Sequence, residues 1–113
     1  MVKSKTKLNN IISKYIDAVN AVFSLDRVYL FGSYAKNTPH KWSDIDLAIV
    51  SKDFAHINSY EAMVILSKLK RNIEPAIEAL PFTPKDIDNA QLGSIEYAVA
   101  KEGKIIWSTH RGK

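Results

Sequence analysis

Two short runs of β-branched and aromatic residues constrain most strongly how this 113-residue chain can fold. The run "RVYLF" spans 27–31 and stops at Gly32, and the run "IDLAIV" spans 45–50. Each run is shorter than a typical helix and rich in residues that favour sheets, so each predicts a buried strand. Apolar residues recur at helical spacing before the first run, over 5–24, which predicts an amphipathic helix. Residues 58–72, after the second run, predict a second long helix.

The rest of the chain continues this alternation of strands and helices. The segment "PAIEAL" at 75–80 predicts a third strand that ends at Pro81, because proline confines a strand to a short piece or a sheet edge. Asn58 is the predicted N-cap of the second long helix, with Glu61 at its third position. The remaining predictions are a loop or short helical turn at Pro84 and Asp86, a helix from about Ser94 to Glu102 stopped by Gly103, and a last strand at 104–107.

This order of elements predicts the α/β (α+β) class, with helices packed on one side of a small mixed β-sheet. We expect one domain, 1–113, with a flexible tail at about 108–113. The chain has no cysteine, which excludes disulfides and cysteine-ligated zinc. No apolar run approaches the roughly 20 residues that cross a bilayer. We therefore expect no membrane association and take a cytoplasmic location as the default.

The formal net charge is +4, which raises the question of an anionic partner. The basic residues are scattered along the chain and are not gathered into one patch with aromatic platforms, so we do not expect direct nucleic-acid binding. The positive surplus still favours a small anionic ligand such as a nucleoside triphosphate.

Asp44 and Asp46 stand two residues apart at the head of the second strand. Residues i and i+2 of a strand point to the same face, roughly 6.6 Å apart, while Ile45 between them points into the core. Two carboxylates this close repel one another unless a cation lies between them. Oxygen-rich sites of this kind suit magnesium or manganese. The alternative is a turn at Asp44 and a strand-edge charge at Asp46.

The turn at Gly32 and Ser33 follows the first strand directly. A glycine that lets the backbone approach a ligand, followed by a helix start with free N–H groups, can cradle a phosphate. The alternative is a glycine that ends a strand and a serine that caps a helix. Together with the aspartates on the neighbouring strand, the turn predicts one site that holds both phosphate and metal.

The spacing of Gly32-Ser33, ten residues, and then Asp44-Ile-Asp46 resembles the signature of the DNA polymerase β-like nucleotidyltransferases. More narrowly, the chain resembles minimal nucleotidyltransferases (MNT) that are paired as antitoxins with HEPN-domain toxins. The resemblance implies a two-metal Mg²⁺ site, with Mn²⁺ as the alternative ion, and ATP as the substrate. Asp44 and Asp46 would be metal ligands, while Gly32 and Ser33 would hold the terminal phosphates.

The resemblance also implies a third acid on a strand beside the aspartates. Glu78 and Glu74 compete for this role, since both would point to one face if their strand began at Ile73. Glu78 is the preferred candidate, as a metal ligand or as the base that takes the hydroxyl proton. The alternative for either glutamate is a salt bridge to a neighbouring lysine.

Lys36 stands where the family often has arginine or lysine, so it is either a phosphate partner or a solvated lysine. Asn37 departs from the glycine usual at its position, although asparagine tolerates the left-handed conformation. Trp42 could stack on a base, but packing is the favoured interpretation. His40 is expected at the surface and not at the metal.

Three functions remain open at this stage. The first is transfer of AMP from ATP to a hydroxyl, with tyrosine as the expected acceptor, on a HEPN toxin that is thereby silenced. The second is modification of a small molecule, as in aminoglycoside nucleotidyltransferases. The third is an antitoxin that neutralises its partner by binding alone. A homodimer or hetero-oligomer is possible, because the apolar stretch at 62–66 could be covered by this chain or by another.

Overall fold

The computed structural model describes residues 5–32 and 44–109. In chain order the elements are α1 (Lys5–Asn20), β1 (Leu25–Phe31), β2 (Ile45–Ser51), a 3-10 turn (Lys52–Ala55), α2 (Ser59–Lys70), β3 (Ile77–Phe82), α3 (Pro84–Asp88), α4 (Ile95–Glu102) and β4 (Lys104–Ser108). The four strands form one sheet in the order β3-β2-β1-β4. β1 is antiparallel to β2 and β4, whereas β2 and β3 are parallel, so the predicted mixed sheet and α/β class are confirmed.

The long helix α2 connects the two parallel strands, which cannot be joined by a tight hairpin. Asn58 caps this helix as predicted: its side-chain oxygen accepts hydrogen bonds from Tyr60 N at 2.7 Å and Glu61 N at 3.3 Å. These bonds satisfy two of the backbone donors that a helix leaves free at its start. α2 thereby begins at a fixed residue and delivers the chain to β3.

One face of the sheet, the α1–α2 face, packs against α1 and α2. Tyr15 of α1 is completely buried there, and its hydroxyl donates a hydrogen bond to Leu66 O of α2 at 2.9 Å. Burial raises the pKa of Tyr15, so the hydroxyl stays protonated and acts as a donor. The sheet contributes these buried residues to this face: Leu25, Val28, Leu30, Ile45, Leu47, Ile49 and Ile77.

The opposite face, the α3–α4 face, is also covered by helices. Ile87 of α3 and Val99 of α4 are buried against four residues of the sheet, namely Tyr29, Ala48, Val50 and Phe82. The prediction that helices pack on one side only is therefore wrong. The physical reason is that successive residues in the middle of β1 and β2 are apolar, so both faces of these strands need cover.

β3 differs from its prediction in its bounds. It begins at Ile77 and not at Pro75, and it continues through Pro81 to Phe82 instead of ending at the proline. Ala76 O accepts a hydrogen bond from Ile45 N of β2. By alternation, the backbone groups of Ile77 and Pro81 therefore face the open edge of the sheet, where the missing proline N–H costs no ladder bond.

α1 and β4 also end at residues other than those predicted. α1 ends at Asn20 and not at residue 24, because Phe23 lies in the turn after the helix, where its ring packs against Phe54 with 4.8 Å between the ring centroids. β4 extends to Ser108, and Thr109 N donates to Asp26 O at 3.1 Å. The rest of the predicted tail, 110–113, lies outside the described residues. Within the described part of the chain, every helix is too short or too polar to cross a membrane.

Candidate active site

Asp46 lies near the start of β2, at one end of the α3–α4 face. Its neighbour Ile45 is fully buried on the opposite face, and Asp44 is exposed just before the strand. Burial, the charge of Asp44 and the charge of Glu78, in that order, raise the pKa of Asp46 above its ordinary value. Three carboxyl groups therefore lie close enough to influence one another.

Gly32 lies directly against the Asp46 carboxylate. It follows Phe31, which pairs with Asp46 in the antiparallel register of β1 and β2. Its φ of 75° is in the left-handed region that favours glycine. A Cβ atom at this position would overlap Asp46 Oδ2 and would lie 3.1 Å from Asp46 Cγ. Because glycine has no side chain, the Asp46 carboxylate can occupy this space. The sequence alone did not indicate this reason for a glycine.

Several residues named from the sequence lie outside the described ranges, namely Ser33, Lys36, Asn37, His40 and Trp42. Of the residues predicted to hold the triphosphate, Gly32 is therefore the one that the structure describes, and it is placed beside a predicted metal ligand.

Glu78 lies on β3 immediately beside Asp46, because the two residues are paired in the parallel register of β2 and β3. Adjacent strands are about 4.8 Å apart, and paired residues start from the same face of the sheet. Glu74 is placed differently. The strand begins at Ile77, so Glu74 precedes it, and its carboxylate accepts a hydrogen bond from Ala76 N at 3.1 Å.

Asp44, Asp46 and Glu78 offer the oxygen donors that magnesium and manganese prefer. Burial first, and then the charges of Asp44 and Glu78, raise the pKa of Asp46, and a divalent cation would relieve the repulsion between these groups. As placed, no three His, Cys, Asp or Glu side chains among residues 5–32 and 44–109 are gathered into a metal site. The Glu78 carboxylate instead approaches Lys70, with 3.8 Å between Oε2 and Nζ. The residues fit a divalent ion provided that Glu78 turns toward Asp46.

Lys70 is the residue near this site that the sequence interpretation missed. Its Nζ donates hydrogen bonds to Ile77 O at 2.6 Å and to Pro75 O at 3.0 Å, in addition to its approach to Glu78. A lysine near a helix C-terminus is common, because it interacts favourably with the helix dipole. No sequence pattern distinguishes it from a solvated lysine, since its contacts depend on how the chain turns into β3.

Comparisons with known proteins identify a family and several similar chains. The family described as "Polymerase beta, Nucleotidyltransferase" matches residues 6–112. A chain from Methanocaldococcus jannaschii that is provisionally named a protein adenylyltransferase is 27% identical over 109 residues, which cover 88% of this chain and 71% of that protein. The protein adenylyltransferase MntA of Shewanella oneidensis is 28% identical over 87 residues, which cover 77% of this chain and 57% of that protein.

Among solved structures, a chain from a toxin–antitoxin crystal structure with AMP-PNP has a similar fold. The TM-score is 0.63 at 27% identity, and the match covers 89% of this chain and 73% of that chain.

Proposed function

Since this chain belongs to the polymerase β nucleotidyltransferase family and is a nucleotidyltransferase, we propose that it transfers AMP from ATP to a hydroxyl group of a HEPN-domain toxin and so acts as its antitoxin. A tyrosine is the proposed acceptor and the cytoplasm the proposed location. Two relatives named protein adenylyltransferases support protein as the substrate. A similar chain in a toxin–antitoxin structure with AMP-PNP supports a toxin partner and a nucleotide ligand. The HEPN class and the tyrosine come from the family resemblance described above.

The observation that carries the proposal is the position of Asp46. It is paired with Glu78 on one side and contacts the glycine turn at Gly32 on the other, with Asp44 close enough to raise its pKa. A chain that needed these strands for stability alone would gain nothing from gathering carboxylates at this place, because the charges repel. Acidic groups next to a close backbone turn are what the binding of a metal-bound triphosphate requires.

Each residue has a proposed role in the reaction. Asp44 and Asp46 would hold Mg²⁺ or Mn²⁺, and Glu78 would join them or accept a proton. Gly32, Ser33 and Lys36 would hold the triphosphate. Bound metal would neutralise charge on the leaving pyrophosphate and sharpen the attacking hydroxyl.

The bonds that change are those at the α-phosphorus of ATP. The acceptor hydroxyl oxygen forms a new bond to this phosphorus, and the bond to the pyrophosphate oxygen breaks. The hydroxyl proton passes to a carboxylate, for which Glu78 is suited because its side chain is 58% exposed and can reach an incoming protein. A positioned base of this kind contributes roughly 10²–10⁴-fold to a rate.

The test is a transfer assay on the assembled pair. The chain is purified with a co-expressed HEPN-domain partner and incubated with magnesium and ATP labelled at the α-phosphate. We expect label on the partner and none after chelation of the metal. Label on a small molecule instead would favour the small-molecule function, and a bound but unlabelled partner would favour neutralisation by contact. Either result would contradict the proposal.

A further inference from the structure

Lys70 is held in a fixed position at the open edge of the sheet. Its side chain is only 19% exposed, and its Nζ donates to two backbone carbonyl oxygens, Pro75 O and Ile77 O. The carbonyl of Ile77 faces away from β2, because the preceding residue, Ala76, accepts from Ile45 N. The ammonium group therefore lies on the outer side of β3, with two of its three donors already used.

Glu78 approaches this charge with an exposed side chain. The distance from Oε2 to Lys70 Nζ is 3.8 Å, which is an ion pair without a hydrogen bond, and 58% of the Glu78 side chain is exposed. Both residues line a depression of about 140 Å³ at the edge of β3 together with Met63 and Ser67. An exposed pair of this length is weak, so the carboxylate can exchange it for another partner.

The position of Glu78 on β3 also allows its carboxylate to turn toward Asp46. Cα of Glu78 is paired with that of Asp46, so a change of side-chain rotamer would turn the carboxylate from the sheet edge toward the aspartates. While no cation is bound, the like charges of the aspartates repel the Glu78 carboxylate, and the opposite charge of Lys70 attracts it. A cation at the aspartates would reverse this preference.

We propose that Lys70 is a positioning residue that holds the Glu78 carboxylate at the sheet edge in the metal-free protein, and that Glu78 leaves Lys70 for the aspartates when a divalent cation binds. The inference rests on the proposed role of Glu78 as the third acid. It means that Lys70 competes with the metal for one ligand, which limits repulsion in the empty site and weakens cation binding.

The test measures Mn²⁺ binding to the nucleotide-free protein by the electron paramagnetic resonance signal of the free ion. Lys70→Gln removes the charge and keeps an amide that can donate to the carbonyls. We expect it to tighten Mn²⁺ binding by about two- to fivefold, the range of an exposed ion pair. Lys68→Gln, on the same helix but exposed, is the matched control and should change the affinity by less than about 1.5-fold because its charge is screened.

A double-mutant cycle separates the proposal from a general effect of charge. In a Glu78→Gln background there is no carboxylate to release, so Lys70→Gln should have little further effect on Mn²⁺ affinity. Equal tightening in both backgrounds, or no tightening in the wild-type background, would overturn the competition. If Glu78→Gln alone leaves Mn²⁺ binding unchanged, Glu78 is not a metal ligand and the competition is overturned. The proposed function fails separately, if Glu78→Gln keeps wild-type transfer, so the two failures are distinguishable.

A further variant guards against misfolding of Lys70→Gln. Lys70→Arg keeps the charge and can pair with a carboxylate through two donors. We expect it to bind Mn²⁺ as weakly as the wild type or more weakly, and tighter binding would contradict the proposal.

Discussion

Ile45 and Asp46 are neighbours on β2, yet they lie on opposite faces of the sheet and in opposite environments. Ile45 is fully buried on the α1–α2 face, where its side chain stabilises the fold by leaving water. Asp46 lies half-buried at the end of the α3–α4 face, and its raised pKa shows that folding disfavours its charged form. Burial of Ile45 on one face of the strand therefore stabilises the folded protein, whereas the charge of Asp46 at the end of the other face destabilises it.

Stability and the candidate chemistry are thus separated by a single step along the strand. Because side chains alternate between faces, the core can be fully apolar while the next residue carries charge. Substitutions on the two faces should therefore have effects of different kinds, and the following predictions test this separation.

The largest expected effect is on transfer. Asp46→Asn and Asp44→Asn should each reduce transfer of labelled AMP by roughly 10²-fold or more, the scale of losing a group that acts on the reacting atoms. The thermal unfolding midpoint should stay the same or rise, because a repulsive charge is removed. Marked unfolding of either variant, or wild-type transfer, would show that these aspartates belong to the structure and not to the site.

On the other face, Ile45→Ala should lower the free energy of unfolding by about 2–5 kcal/mol, because it leaves a cavity in a packed core. Ile105→Ala is the matched control, since Ile105 is 56% exposed on the edge strand β4. The control should cost less than about 1 kcal/mol. Denaturant unfolding of both variants gives the comparison, and equal losses would contradict the assignment of Ile45 to the packed core of the α1–α2 face.

The glycine turn should show both kinds of effect. Gly32→Ala should lower the free energy of unfolding by about 1–2 kcal/mol through its positive φ, and should also weaken Mn²⁺ binding because the new Cβ meets the Asp46 carboxylate. Gly93→Ala is a close control: its φ is 92°, but a Cβ there meets nothing within 4 Å. The control should lose stability and keep Mn²⁺ affinity. Equal Mn²⁺ affinity of the two variants would show that Gly32 is not part of the metal site.

The smallest effect concerns pH. The folded-state pKa of Asp46 is raised above its ordinary value of 3.8, so the ionised carboxyl reduces stability. This loss is complete above the folded pKa and absent below the unfolded pKa, where both states are protonated. In chelator, Asp46→Asn should therefore be more stable than the wild type at neutral pH, and the difference should vanish as the pH falls below 3.8. A pH-independent difference would mean that charge is not its cause.

The sequence predicted the elements well where periodicity decides them. The cap of α2 was found because Asn58 precedes a helical pattern, and its side chain accepts the expected backbone hydrogen bonds. The helix predicted from about Ser94 to Glu102 begins at Ile95, and Ser94 is its N-cap, a role that was not predicted. The short turn at Pro84 and Asp86 and the helix after Ser94 were both predicted, but their packing on the second face of the sheet was not. α3 is a single turn fixed by a capping box between Thr83 and Asp86, and a turn this short has no periodic signal that would show which face it covers.

The site was predictable as a set of residue types but not as a geometry. Asp44 and Asp46 are only two residues apart in the sequence, so the sequence could pair them. Contact between Gly32 and Asp46 depends on the register of β1 and β2, and the approach of Lys70 to Glu78 depends on the path of the chain into β3. Register and chain path are set by the packing of the whole sheet, which no local pattern specifies.

The most direct test of the central claim compares two glutamates four residues apart in the same transfer assay. Glu78 is paired with Asp46 in the sheet, whereas Glu74 precedes the strand and accepts from Ala76 N. We expect Glu78→Gln to lose transfer by roughly 10²-fold or more while ATP binding is retained, and Glu74→Gln to lose little. Loss of transfer in Glu74→Gln with near-normal transfer in Glu78→Gln would contradict the pairing of Glu78 with Asp46 as the site and move the site away from the β2–β3 pair.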